Sequence, residues 1–406
     1  MNFKLSAPQF GRILAVIFLS SLFVAGTAFA RGQMTVKPVI ELGWQRDSNF
    51  HKTDTDTQTV DTYYVKPGIK FGFKAPKSSV SLDYYLNSLN YDDQDTVAAG
   101  NLEADDLDYI EHQLMFGAKN QPSDRLQIGL DDFFKKTRDA SSTETATNDI
   151  ETYKYTINKF TPWINYRFGE KYGLGLKYTN SITNYSDDDA GEGEDTDENR
   201  GTFTFFYYFT PKTSFDLDYQ VWNRDYDKDT SEYTSNQVML NVKHQINYLT
   251  FGAGAGYHDR NFDQAVTSGD IKKFVWKLSL QGQNAQDNAP IPRSSMYISL
   301  GSNLNDSGAG DTYYESIRLD AKFTYLFMEK LNGTLKAWVQ NSDYETSARE
   351  DDKWFLSGAL DYLINDWVAV GIEGGMEQRN SNFADRDYEN EYIQFNISAN
   401  YDFGSK

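Results

Sequence analysis

Between residues 40 and 403, apolar side chains recur at every second position in short runs, and polar connections separate the runs. Ile40, Leu42 and Trp44 open the series. Val65, Ile69, Phe71 and Phe73 follow, then Val80, Leu82, Tyr84 and Leu86. A period of two places alternate side chains on opposite faces of a pleated strand, so each run predicts a β-strand with one apolar face. The rhythm continues through Ile110 to Phe116, Leu126 to Leu130, Phe160 to Phe168, Tyr172 to Tyr178, Phe203 to Phe209, Phe215 to Val221 and Val238 to Ile246. Eight further runs, anchored from Phe251 to Tyr257 through Ile393 to Phe403, bring the count to about eighteen strands.

The connections fall into two alternating classes. APKSS, NQPSDR, FGEKYG, TPKTS, INY, MEKLN and IND are tight, whereas RDSNFHKTDTDTQTVD, YDDQDTVAAGNLEADDLD, KTRDASSTETATND and SDDDAGEGEDTDEN are long and mostly acidic. A β-sandwich or a solenoid would also alternate apolar and polar positions, but neither accounts for alternating loop length. Short turns on one side and long loops on the other are the signature of an antiparallel up-and-down transmembrane β-barrel. In such a barrel the turns are periplasmic and the loops extracellular, and an even strand count returns both termini to one side. QNAQDNAPIPRSS, after the twelfth run, is long on the expected turn side and breaks the rule.

Composition places this barrel in a compartment. Lys4 and Arg12 precede the apolar run ILAVIFLSSLFVAG, and Ala28-Phe29-Ala30 supplies a small-residue cleavage site, so residues 1–30 read as a secretory signal peptide and 31–406 as one barrel domain. The chain holds 28 Tyr, 27 Phe and 7 Trp, yet its mean hydropathy is −0.64, which excludes a bundle of apolar membrane helices. An exported, aromatic-rich and polar chain fits the outer membrane of a Gram-negative bacterium, with outer-membrane lipid as its surroundings. Its formal charge of −20 excludes nucleic acid as a partner, because phosphates require Lys and Arg. With no cysteine, closure cannot come from disulfides. The unbroken alternation Ile393, Phe395, Ile397, Ala399, Tyr401, Phe403 resembles the closing strand by which the barrel-assembly machinery recognises its clients, although the chain ends Gly404-Ser405-Lys406.

About eighteen strands make a barrel too wide for side chains to fill, so the polar half of each strand should line a channel. Parity selects Lys66, Lys70, Asp83, Tyr85, Glu111, Trp163, Arg167, Asp216, Asp218, Trp222, Arg318, Asp320, Lys322, Lys336, Trp338 and Glu373 as candidate pore-lining residues. Both charge signs and several aromatic rings are present, a mixture suited to sugars through stacking and dispersed hydrogen bonds. No catalytic, metal or cofactor site is expected. The histidines His51, His112, His244 and His258 lack ligand spacing, and the acidic runs lack the ordered calcium-loop pattern. A rim-active lipid hydrolase, which needs a Ser and a His brought together by the fold, is a remote alternative.

At WQRDSNFHKTDTDTQTVDTYYVKPGIKFGF, followed by SSVSLDYYLNSLNYDD, the sequence resembles the putative β-barrel porin 2 family, outer-membrane barrels associated with capsular and exopolysaccharide assembly. The resemblance implies a passive conduit that carries a polysaccharide chain across the outer membrane, with periplasmic polysaccharide-export proteins as partners. A diffusion porin for oligosaccharides or other small nutrients is the alternative within the same fold. The resemblance supplies no catalytic set.

Overall fold

The computed structural model describes residues 32–97, 103–138, 153–186, 194–227, 232–263, 270–284, 292–306, 313–344, 348–384 and 386–403. The segment read as a signal peptide lies outside them. The first six strands are β1 (Gln33–Asp47), β2 (Val60–Ala75), β3 (Ser78–Asp93), β4 (Tyr109–Ser123), β5 (Leu126–Thr137) and β6 (Tyr155–Phe168). The next six are β7 (Tyr172–Tyr185), β8 (Thr196–Thr210), β9 (Thr213–Tyr226), β10 (Tyr233–Ile246), β11 (Leu249–Phe262) and β12 (Ile271–Asn284). The last six are β13 (Ser294–Asp306), β14 (Tyr313–Leu326), β15 (Leu331–Tyr344), β16 (Arg349–Asn365), β17 (Val368–Ser381) and β18 (Tyr388–Asn400). Each pairs antiparallel with its neighbours in sequence, and β1 also pairs with β18, which closes an eighteen-stranded barrel. Closure gives every strand a neighbour on both sides, as a sheet needs to satisfy its backbone inside a bilayer, although β12 and β13 share a ladder over only part of their length.

The apolar runs occupy one face of the sheet. In β8, Phe203 and Phe209 point outward, and the register carries the same face through Leu217 and Tyr219 of β9 to Val238 and Leu240 of β10, all well exposed. This outer face ends toward the tight turns in an aromatic group. Phe168, Tyr172, Phe205, Tyr207, Phe209 and Phe215 meet stacked, tilted or edge-on, with centroids 5.3 to 6.4 Å apart. Amphipathic rings suit the boundary between hydrocarbon and water.

The strands are longer than expected. They run from 12 residues in β5 to 17 in β16, where about 9 to 11 suffice to span. The surplus lies at the loop end, where the outer face turns polar as well. There Asn180 donates to Asp197 Oδ1 at 2.7 Å and Tyr178 to Asn199 Oδ1 at 2.5 Å. This corrects the sequence reading of the acidic block SDDDAGEGEDTDEN as loop throughout: its end, from Thr196, is strand β8, and Glu198 is buried on the inner face. Residues 187–193 of that block, and 285–291 of the irregular connection after β12, lie outside the described residues.

One seam departs from a simple cylinder. Pairing between β12 and β13 runs only from Asn284↔Ser294 to Lys277↔Gly301, although both strands continue toward the loop end. Beyond that point Phe262, Ile271 and Lys273, on the inner face of β11 and β12, meet Leu304, Tyr313 and Glu315, on what the register makes the outer face of β13 and β14. Lys273 Nζ lies 3.0 Å from Glu315 Oε2, the Phe262 and Tyr313 rings are 6.4 Å apart, and the Trp276 amide donates to Ser302 Oγ at 3.2 Å. Inner-face residues can meet outer-face residues only if the wall overlaps itself. The loop end of the β13–β14 hairpin therefore tucks inside β11–β12.

Candidate functional site

The inner surface is recognisable because side chains converge on a concave face. Lys336 of β15 reaches Glu373 of β17 at 3.0 Å, across β16, and Phe355 of β16 stacks with Tyr392 of β18 across β17, centroids 6.4 Å apart. Gln394 of β18 donates to the Tyr64 hydroxyl of β2 at 2.7 Å, across β1. On the convex side such strands splay apart.

The register places every pore-lining candidate on this inner face. Lys66 and Lys70 lie over the Tyr85 ring at 5.6 and 5.8 Å, beside Asp83. Glu111 is buried and pairs with Lys135 at 3.2 Å. Trp163 lies across Gly129, where a Cβ would collide with its ring, and donates Nε1 to Asp131 at 2.9 Å. Arg167 stands over Tyr208 at 4.7 Å. Asp216 accepts from Lys243 at 3.0 Å, and Asp218 from Thr204 at 2.7 Å. Arg318 pairs with Asp320 at 2.9 Å, with Lys322 two residues further along the same face. Acids and bases thus neutralise one another over short distances.

Trp222 and Trp338 are placed differently from the free stacking surfaces their sequence positions suggest. Arg200 covers Trp222 at 4.2 Å and His258 packs beside it at 4.8 Å, leaving the indole 4% exposed. Trp338 lies between Arg318 at 4.3 Å and Phe355 at 5.9 Å. The lumen therefore meets guanidinium where sequence parity suggests indole. Similar arginine caps cover Tyr233 (Arg260, 4.1 Å), Tyr344 (Arg349, 4.3 Å) and Tyr388 (Arg379, 5.0 Å). Each cap adds cation–π attraction and fixes a flexible side chain.

Sequence reasoning missed Glu198, Arg200, Arg224, Arg260, Arg349, Asp351 and Arg379, all inward and near the loop end. The signal was present, because the even-numbered inner parity of β8 runs on through Thr202, Arg200 and Glu198 once the alternation is followed past the apolar stretch. The four histidines occupy separate places. His112 bonds Tyr84 at 2.8 Å and His244 bonds Thr213 at 2.9 Å on the outer face, His51 sits in the β1–β2 connection, and His258 faces the lumen. Burial disfavours the charged form of His51 and lowers its pKa despite nearby Asp93. Among the described residues no cluster of His, Asp and Glu could hold a metal ion.

The barrel is thus closed, apolar outside and charged inside. Residues 247–401 match the model of the putative beta-barrel porin 2 family. This is a porin-like outer-membrane β-barrel. The match covers β11 to β18, whereas the resemblance by motif lay in the N-terminal segment. No curated protein matches the chain. Among solved structures, Pseudomonas aeruginosa OccK5 (OpdH) is 10% identical with a TM-score of 0.47, covering 91% of this chain and 98% of its own. Acinetobacter baumannii OccAB2 is 12% identical with a TM-score of 0.47, covering 91% and 98%. The outer membrane protein OpdK of Pseudomonas aeruginosa is 14% identical with a TM-score of 0.46, covering 91% and 99%.

Proposed function

We propose that this porin-like barrel is a passive diffusion channel for small hydrophilic solutes, lined by the inner-face residues named above. The observation that carries the reading is an interior with short, locally neutralised ion pairs in which the faces of Trp222 and Trp338 are covered by arginines and neighbouring rings. A polymer moving lengthwise needs repeated open stacking surfaces, whereas a small solute needs only water and dispersed hydrogen-bonding groups. Export of a capsular or exopolysaccharide chain, which the family resemblance implies, finds no such track along Trp222 and Trp338. The tucked end of β13–β14 also occupies part of the bore on the loop side.

Liposomes carrying the purified protein should swell in isotonic arabinose or glucose, and progressively less in di-, tri- and tetrasaccharides. Swelling that persists undiminished into long oligosaccharides would favour the polymer conduit, and none at all would end the channel reading. The orientation follows the loop rule, with the long acidic connections outside. A peptide epitope inserted beside the exposed Thr55 should then be labelled on intact cells, and one at Lys212, in the β8–β9 turn, only after permeabilisation. The opposite pattern would invert the barrel.

A further inference from the structure

The tucked hairpin closes one side of a cavity of 280 Å³ at the loop end of the lumen. The opposite wall is the inner face of β8 to β11, contributing Glu198, Arg200, Trp222, Arg224, His258 and Arg260, while Asn303, Asn305 and Tyr314 come from β13 and β14. In a chain of formal charge −20, the described residues lining this space include three arginines and one carboxylate. Glu198 is committed to two of them, with Oε1 3.0 Å from Arg200 Nε and Oε2 2.9 Å from Arg224 Nη2.

The third arginine is in a different state. Arg260 is 3% exposed, donates Nε to Ser235 Oγ at 3.3 Å and rests on the Tyr233 ring, with no carboxylate paired to it among the described residues. Beside it His258, also 3% exposed, lines the same cavity, and its Nε2 has no hydrogen-bond partner. A buried guanidinium without a counter-charge and a buried ring nitrogen without a partner are both costly, and one anionic group between them would relieve both. A guanidinium presents a planar fork that matches a carboxylate. Amides and a phenol on the far wall offer partners for hydroxyl groups, and the volume, just below the usual range of roughly 300 to 1,000 Å³ for ligand pockets, suits a small molecule.

We propose that this cavity is a binding site for a small hydroxylated carboxylic acid, its carboxylate held by Arg260 and His258 and its hydroxyls by Asn303, Asn305 and Tyr314. The proposal deepens the diffusion-channel reading by naming a solute class.

The test uses the full barrel in detergent micelles, titrated calorimetrically with gluconate, with sorbitol, which replaces the carboxylate by an alcohol, and with inorganic phosphate. Saturable binding of gluconate, at least tenfold tighter than sorbitol or phosphate, is expected. Arg260→Gln should weaken it at least tenfold and Arg260→Lys, which keeps the charge but loses the fork, by less, with unchanged heat-modifiable migration of the folded barrel on gels. Equal affinity for phosphate would reduce the site to an unselective anion pocket and overturn the proposal. So would the absence of saturable gluconate binding, or full affinity in a folded Arg260→Gln barrel. Liposome swelling separates the two ideas, since a barrel that passes arabinose but does not bind gluconate refutes the site and leaves the channel standing.

Discussion

Replacing Asp351 by Asn should destabilise the folded barrel by about 3 to 5 kcal/mol, the cost of leaving buried charge uncompensated. Asp351 is fully buried on the inner face of β16. Arg349 Nε donates to its Oδ1 at 2.9 Å, a second contact joins Arg349 Nη2 to Oδ2, and Arg379 Nε of β17 approaches to 3.9 Å. Both guanidiniums are themselves buried against tyrosines, so neither can turn to water once the carboxylate is lost. Asn conserves shape and one acceptor, which isolates the effect of charge. The measurement is a urea titration of folded barrel in lipid vesicles, followed by tryptophan fluorescence. Adding Arg349→Met to Asp351→Asn should recover part of the loss by removing one of the two buried cations that the carboxylate serves. A double variant less stable than the single one would show that the cost lies in packing and not in charge.

The second large effect concerns the outer face. Leu278 lies in the middle of the apolar stretch of β12, 49% exposed, between Ala253 of β11 and Leu300 of β13. Leu278→Arg should cost on the order of 2 to 4 kcal/mol and impair assembly, as a cation at mid-depth of the bilayer does. Lys277, one residue away, points to the lumen opposite Gly254 and Gly301, and Lys277→Arg should be nearly silent. Folding yield into vesicles, read from heat-modifiable migration, distinguishes the two. Equal sensitivity at both positions would mean that the two faces of β12 have been exchanged.

Strand number and connection order were legible because hydrocarbon imposes a period of two that nothing else in the chain obscures. Phe203, Phe205, Tyr207 and Phe209 face outward as their alternation requires, and TPKTS contains the β8–β9 turn. The pattern loses force where the strands leave the apolar band. Asp197, Asn199, Asn223 and Asp225 are polar on the outer face, so the ends of β8 and β9 carry no hydrophobic contrast and read as loop. The Arg200–Trp222 pair lies in these ends, and the capped rings of Tyr233, Tyr344 and Tyr388 lie in the matching ends of other strands. Parity could place Trp222 on the inner face, but only the register could place Arg200 over it, because that contact joins residues of different strands. The overlap at β12–β13 has no local sequence signature at all, since Leu304 and Tyr313 look like ordinary outward residues.

That overlap bears on what fixes the width of the mouth. Where every strand is laddered to the next, strand number and shear together dictate the circumference. Above Lys277↔Gly301 that ladder is missing, and among the described residues the two margins meet through an ion pair, an apolar cluster with a pair of rings, and an amide-to-hydroxyl bond. The loop-end rim is therefore a coil with two ends, its girth set by how far one margin slides under the other, while the turn-end half remains a hoop of constant perimeter.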